Sequence, residues 1–239
     1  MAAVTHGVRG FTLADYYESA AGAHDGSPAG HWVAVAMLLE NQINSASRDP
    51  FYIGTAAGSP RVYLRISGAN ATANFYWYNG SSWPTTPVIS FLNTDIGKRM
   101  LLVSVLDAPA AKIRSYHRRI EQASGSGPTT WTPGTGNVLR VGSSGVPAPD
   151  QTVMSVAHGF GVPSFAHIQA LYDAFIAEED IPPAGIPGYT AVRFSFRDAV
   201  HQHGGQLPDS VPDSFGRAAP LVKIGSPKLA PFYTRSFNW

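Results

Sequence analysis

The run Met100 to Leu106 constrains this chain more than any other stretch. It is apolar, too short for a globular helix and rich in β-compatible residues, so it reads as a central strand buried on both faces. Asp107-Ala108-Pro109-Ala110 follows as a turn, because proline presets φ and cannot join a central ladder. Lys112 to Arg118 reads as the returning strand, polar enough to sit partly in water. A Gly/Ser/Thr/Pro loop with one aromatic, Trp131, leads to a last short strand over Asn137 to Gly142. Strand, hairpin, loop and strand make an antiparallel meander.

The rest of the chain extends the same pattern. Gly10 to Tyr17, His31 to Leu39, Phe51 to Ile53 and Gln151 to His158 read as further strands. In Arg61 to Ser67 the residues Val62, Leu64 and Ile66 share one face, and Arg61, Tyr63, Arg65 and Ser67 share the other. That alternation describes a strand with one side in the core and one side open. Thr72 to Tyr78 repeats it, with Phe75 and Trp77 opposite Tyr76 and Tyr78, and Asn79-Gly80 supplies a hairpin signal. One short helix is expected after Ser164 as N-cap, with Phe165, Ile168, Leu171 and Phe175 on its buried stripe. Beyond it, Val192, Phe194 and Phe196 alternate as in a strand. The fold class is therefore all-β, an antiparallel sandwich, with 24 glycines and 19 prolines in keeping.

The segments DIGKRMLLVSVLDAPAAKIRSYHRRIEQAS, from Asp95, and GNVLRVGSS, from Gly136, resemble the core of laminin G-like, concanavalin A-like domains. HWVAVAMLLE, from His31, stands where an early sandwich strand is expected, and VPSFAHIQALYDAF, from Val162, resembles the short helix after the last core strands. The likeness spans roughly residues 30 to 177. It implies a jelly-roll sandwich over residues 1–184, with 185–239 as an extension or assembly arm. Where the family places an Asn/Asp-Gly turn after the tyrosine, this chain has His117-Arg118-Arg119.

A net charge of +1 gives no electrostatic case for nucleic acid or an anionic membrane. With no cysteine, no disulfide or thiolate chemistry is possible. The N-terminal residues lack the basic start and apolar core of a signal peptide, so synthesis in the cytoplasm is the expectation. Neither a phosphate loop nor a dinucleotide fingerprint occurs, and no cofactor is implied.

Catalytic and metal signals are thin. Glucanases of this fold need two acids alternating on one strand. The acid cluster Glu178-Glu179-Asp180 sits instead at a helix end, where solvated charges are the ordinary outcome. His201-Gln202-His203, with Asp198, Asp209 and Asp213 nearby, has metal-ligand spacing if it lies on a strand, but reads better as surface loop. Asp95 and Asp107 do not form a calcium loop. The Gly125-Ser126-Gly127 and Ser143-Ser144-Gly145 turns lack the frame of a serine nucleophile. Arg114, His117, Arg118 and Arg119 form a basic patch beside Tyr116, expected as a solvated edge.

The aromatics are more telling. Tyr76, Tyr78, Trp83 and Trp131 are candidate ligand-binding rings, able to stack on sugars if exposed together, or else packing under loops. Phe232, Tyr233, Phe237 and Trp239 crowd a Pro/Gly-rich tail and are candidates for assembly with other subunits. The expectation is a non-catalytic binding or structural module without a metal site, with protein subunits and glycans as partners. A bacteriophage virion surface is the setting that suits it best. A free lectin-like protein and an unrecognised glycoside hydrolase are the alternatives.

Overall fold

The computed structural model describes residues 4–22, 24, 25, 27, 29–39, 47–55, 60–67, 71–78, 87–91, 95–129, 131, 134–142, 146–148, 151–178 and 180–233. In chain order the first strands are β1 (Val4–Arg9), β2 (Tyr16–Glu18), β3 (Gly30–Leu39), β4 (Arg48–Thr55), β5 (Pro60–Ser67), β6 (Thr72–Trp77) and β7 (Val88–Ser90). Then come β8 (Arg99–Asp107), β9 (Lys112–His117), β10 (Ile120–Ser126), β11 (Asn137–Val141) and β12 (Gln151–Phe160). Helix α1 (Phe165–Glu178), β13 (Thr190–Ser195), helix α2 (Phe196–Gln202), β14 (Ser210–Val211), β15 (Leu221–Ile224) and β16 (Lys228–Tyr233) complete the order.

They form two antiparallel sheets packed face to face. The first runs β10-β9-β8-β3-β12-β1-β16, with β13 also on β12; the second runs β14-β15-β2-β11-β4-β5-β6-β7. The segment after residue 184 thus gives β13 and β16 to the first sheet and β14 and β15 to the second. In β16, Phe232 stands opposite Thr5 and Tyr233 opposite Val4; Phe237 and Trp239 lie outside the described residues.

The apolar run in β8 is explained by burial on two sides. Leu102 and Leu106 face the sandwich interior, while Leu101, Val103 and Val105 face a second core under α1. That helix starts at Ser164, whose hydroxyl accepts from the His167 amide, and buries Ile168, Leu171, Tyr172 and Phe175. Phe165 leaves the expected stripe and is 46% exposed. Tyr172 takes its place, its hydroxyl 2.8 Å from the carbonyl oxygens of both Leu101 and Tyr116.

Two local expectations change. The strand expected through Phe196 ends at Ser195, whose hydroxyl accepts from the Asp198 amide at 3.1 Å and caps a second helix, α2. A side-chain cap overrides the period-two pattern there. His201 consequently lies on helix and His203 caps its end, both exposed, so the i,i+2 spacing no longer places them on one face. The His117-Arg118-Arg119 segment still makes a tight hairpin, with Ile120 paired to His117 and φ of 54° and 65° at Arg118 and Arg119. This primed turn without glycine is strained. It is pinned because Arg118 bonds the buried Asp95 and Arg119 meets Asp173 of α1 at 2.6 Å. The basic patch is thus tied down at two points rather than merely solvated.

Candidate functional site

The outer faces of the two sheets differ. The first carries small and apolar side chains, among them Ala34, Ala36, Val103 and Ala157, and is covered by α1 and Ile181 and Ile186 beyond it. The second alternates as its sequence demands: Val62, Leu64, Ile66, Ala73, Phe75 and Trp77 are core, and the residues between them point away from it. Among the described residues, no helix or strand packs over that outer face.

Strand register builds a row across it. Glu18 on β2 is opposite Arg140 on β11, Arg140 is opposite Tyr52 on β4, Tyr52 is opposite Tyr63 on β5, and Tyr63 is opposite Tyr76 on β6. At a strand spacing near 4.8 Å the row is about 19 Å long. The Tyr63 and Tyr76 rings are parallel within 8°, their centroids 4.8 Å apart, and Arg65 lies 5.1 Å from the Tyr63 centroid. That separation matches the strand spacing, so the two half-buried rings are stacked face to face across the β5–β6 ladder. Arg140 lies 4.4 Å from the Tyr16 centroid and 5.6 Å from that of Tyr52, and its Nε donates to Glu18 at 2.8 Å.

Two bulges in the β4–β5 ladder shape the face. One, between the pairs Arg48–Ile66 and Phe51–Leu64, lowers Asp49 into full burial under Arg65. Arg65 Nε and Nη2 each donate to an Asp49 oxygen at 2.8 Å, and these bonds hold the guanidinium's pKa above its ordinary value. The other falls between Ile53–Val62 and Gly54–Pro60 and makes Arg61 the extra residue, re-aimed over Tyr78 at 5.5 Å. Burial raises the Tyr63 hydroxyl pKa and pushes that of Tyr52 up to about 12; Tyr52 is fully buried and donates its proton to the Thr55 carbonyl at 2.6 Å.

Of the aromatics expected from sequence, Tyr76 ends the row and Tyr78 lies beside Arg61, both half-buried. Trp131 is different. It is 3% exposed, packs on Trp77 and His31 at 5.6 and 5.3 Å, and donates Nε1–H to the Tyr78 carbonyl at 3.0 Å. Rather than offering a free ring it anchors its loop in the core, because a large apolar surface among small polar residues has nowhere else to be buried. Trp83 lies outside the described residues. Tyr16, Glu18, Asp49, Tyr52, Tyr63, Arg65 and Arg140 had not been assigned to the site, although the alternation in β5 had marked Tyr63 and Arg65 as outward.

Two polar clusters lie elsewhere. Asp180, expected in solvent at a helix end, is fully buried behind β12 and β13. Its carboxylate is held by Ser155, by Ser195 at 2.7 Å, by the Ile181 amide at 2.7 Å and by Arg193 at 3.5 Å, while burial raises its pKa. Arg193, also buried, reaches Ile181 O, Asp198 and Ser214 as well. Inside the sandwich, His24, His158 and His31 form a chain, with His24 Nδ1 2.9 Å from His158 Nε2 and His158 Nδ1 3.1 Å from His31 Nε2. Burial lowers the pKa of His24 to about 4 and of His31 to about 3, and that of His158 well below the ordinary value. Among the described residues, no group of three or more His, Cys, Asp or Glu is arranged to hold a metal. A cleft of about 260 Å³ beside β13 is lined by Phe160, Tyr189, Val192 and Arg217.

Two antiparallel sheets in this arrangement define a jelly-roll β-sandwich of the kind found in lectin-like proteins. A protein from Bacteroides ovatus, provisionally described as carbohydrate-binding, superposes on 95% of this chain with a TM-score of 0.62 and 14% identity. The chain spans 61% of that protein's length. The heptameric SAP-like pentraxin from Limulus polyphemus matches 70% of this chain and 81% of its own, with a TM-score of 0.53 and 9% identity. At such identities these likenesses speak for the fold. No protein-family model and no curated protein matches the chain.

Proposed function

We propose that this chain is a non-catalytic glycan-binding module whose ligand lies across the outer face of its second sheet. The half-buried end of the row carries the reading: the stacked Tyr63 and Tyr76 with the guanidinium groups beside them, set by strand register over the buried Tyr52, suit the closely spaced hydroxyls of a sugar chain. The carbohydrate-binding description of the Bacteroides ovatus protein supports it. Recognition here runs through hydrogen bonds and ring edges more than through flat stacking. A glycan array probed with wild type and with the Tyr63→Ala/Tyr76→Ala variant tests it. Binding lost in a variant that still folds and melts cooperatively is the expected result; equal binding by both proteins refutes the assignment.

The finer reading, a laminin G-like module held in a larger assembly such as a bacteriophage virion, draws on β16. Among the described residues that strand ends the first sheet, paired with β1, and an edge strand of this kind suits pairing with a strand from a neighbour. Removing residues 228–239 is expected to leave a folded monomer from a larger native particle, as read by light scattering. A monomeric intact protein overturns the assembly reading.

A further inference from the structure

We infer that the glycan taken by this face carries an acidic group, a carboxylate or sulfate, and that Arg61 receives it; the inference rests on the open face being the binding surface. Charge on the face points there. Of its three arginines, Arg65 is bound to Asp49 at both nitrogens and Arg140 is bound to Glu18. Arg61 alone among them has no carboxylate among the described residues, and its Nε is buried with no hydrogen-bond partner. Gly134 lies over that Nε, so a forked oxyanion meets the guanidinium at its terminal nitrogens, supplying the counter-charge that Arg65 and Arg140 already have.

The surroundings hold Arg61 in place. As the extra residue of a bulge it turns toward Tyr78, whose carbonyl takes the Trp131 indole proton, so the anchored loop and the arginine share one support. The same loop crosses the guanidinium at Gly134, where φ is +75° and a Cβ would come 2.7 Å from Arg61 Nε. A side chain at 134 would displace the group. Tyr63 is two residues along β5 on the same outward side, so an acid bound at Arg61 lies beside the sugar contacts of the row.

The test is an array of matched pairs: uronate oligosaccharides with their carboxyl-reduced forms, and sulfated oligosaccharides with their desulfated forms. The expected result is at least tenfold preference for acidic members, weakening with salt, lost in Arg61→Gln and partly kept in Arg61→Lys, with melting temperatures checked for both. Preference in only one set of pairs identifies carboxylate or sulfate. Equal binding of both members, still abolished by Tyr63→Ala/Tyr76→Ala, leaves the glycan reading standing and overturns this one. Preference unchanged in a folded Arg61→Gln or Arg61→Lys protein removes Arg61 from the role, and no binding to any glycan defeats both readings.

Discussion

The two sheets share one interior yet treat their outer faces in opposite ways. On the first sheet the outward positions are apolar, a helix seals them, and the loop after that helix is fastened by the buried Asp180–Arg193 pair. On the second sheet the outward positions include tyrosines and arginines among smaller polar residues, and Asp49 and Glu18 are each bound to an arginine. A sheet that stays covered is built from apolar area and locked, while the other is built from polar rims fixed by register. On the proposed reading, stability and recognition fall to different faces of one scaffold.

The sharpest break is on the covered side. Val103→Asp places a charge under α1, and with total stability of only about 5–15 kcal/mol the domain is expected to unfold. A soluble, cooperatively melting variant removes the covered-face account. Acid should act next. The folded pKa values of His24, His31 and His158 lie below 6.5, so the unfolded state takes up protons first and stability falls as pH drops from 6.5 toward about 4, where His24 titrates, and about 3 for His31. Three such groups imply a slope of up to about 4 kcal/mol per pH unit in denaturant melts, against roughly zero above pH 7. The nearby Asp25 and Asp213 moderate this at His24. Arg193→Met, which removes the buried guanidinium and leaves Asp180 only its Ser155, Ser195 and Ile181 hydrogen bonds and the more distant Arg197 at 3.7 Å, should cost about 3–5 kcal/mol in urea unfolding. The smallest effect belongs to the open face. Tyr63→Ala should cost no more than about 1.5 kcal/mol, the scale of one ring pair, and Arg140→Gln no more than about 1 kcal/mol. A loss at Tyr63 as large as that at Arg193 would erase the contrast.

Much of this division was legible in the sequence. The run in β8 announced burial on both faces, and the alternation of Arg61, Tyr63 and Arg65 with Val62, Leu64 and Ile66 announced one open face. Tyr76 and Tyr78 were found because they share a strand with the core residues Phe75 and Trp77. What stayed hidden depends on distant partners. Asp180 looks like a solvated helix-end acid until β13 brings Arg193 and Ser195 to it. The histidine chain joins positions 24, 31 and 158, which no local pattern connects. Trp131 carries no sign of direction in its loop, and Phe196 keeps the strand period although Ser195 caps a helix. Tyr52 and Arg140 join the row only once strand order is known.

Tyrosine-selective labelling read by mass spectrometry, with and without a glycan identified on the array, compares the open face and the cleft beside β13 in one protein. Tyr63, Tyr76 and Tyr78 report on the open face, and Tyr189 on the cleft. Bound glycan is predicted to shield the first three and leave Tyr189 labelled as before; shielding of Tyr189 with no change at the row would contradict the account.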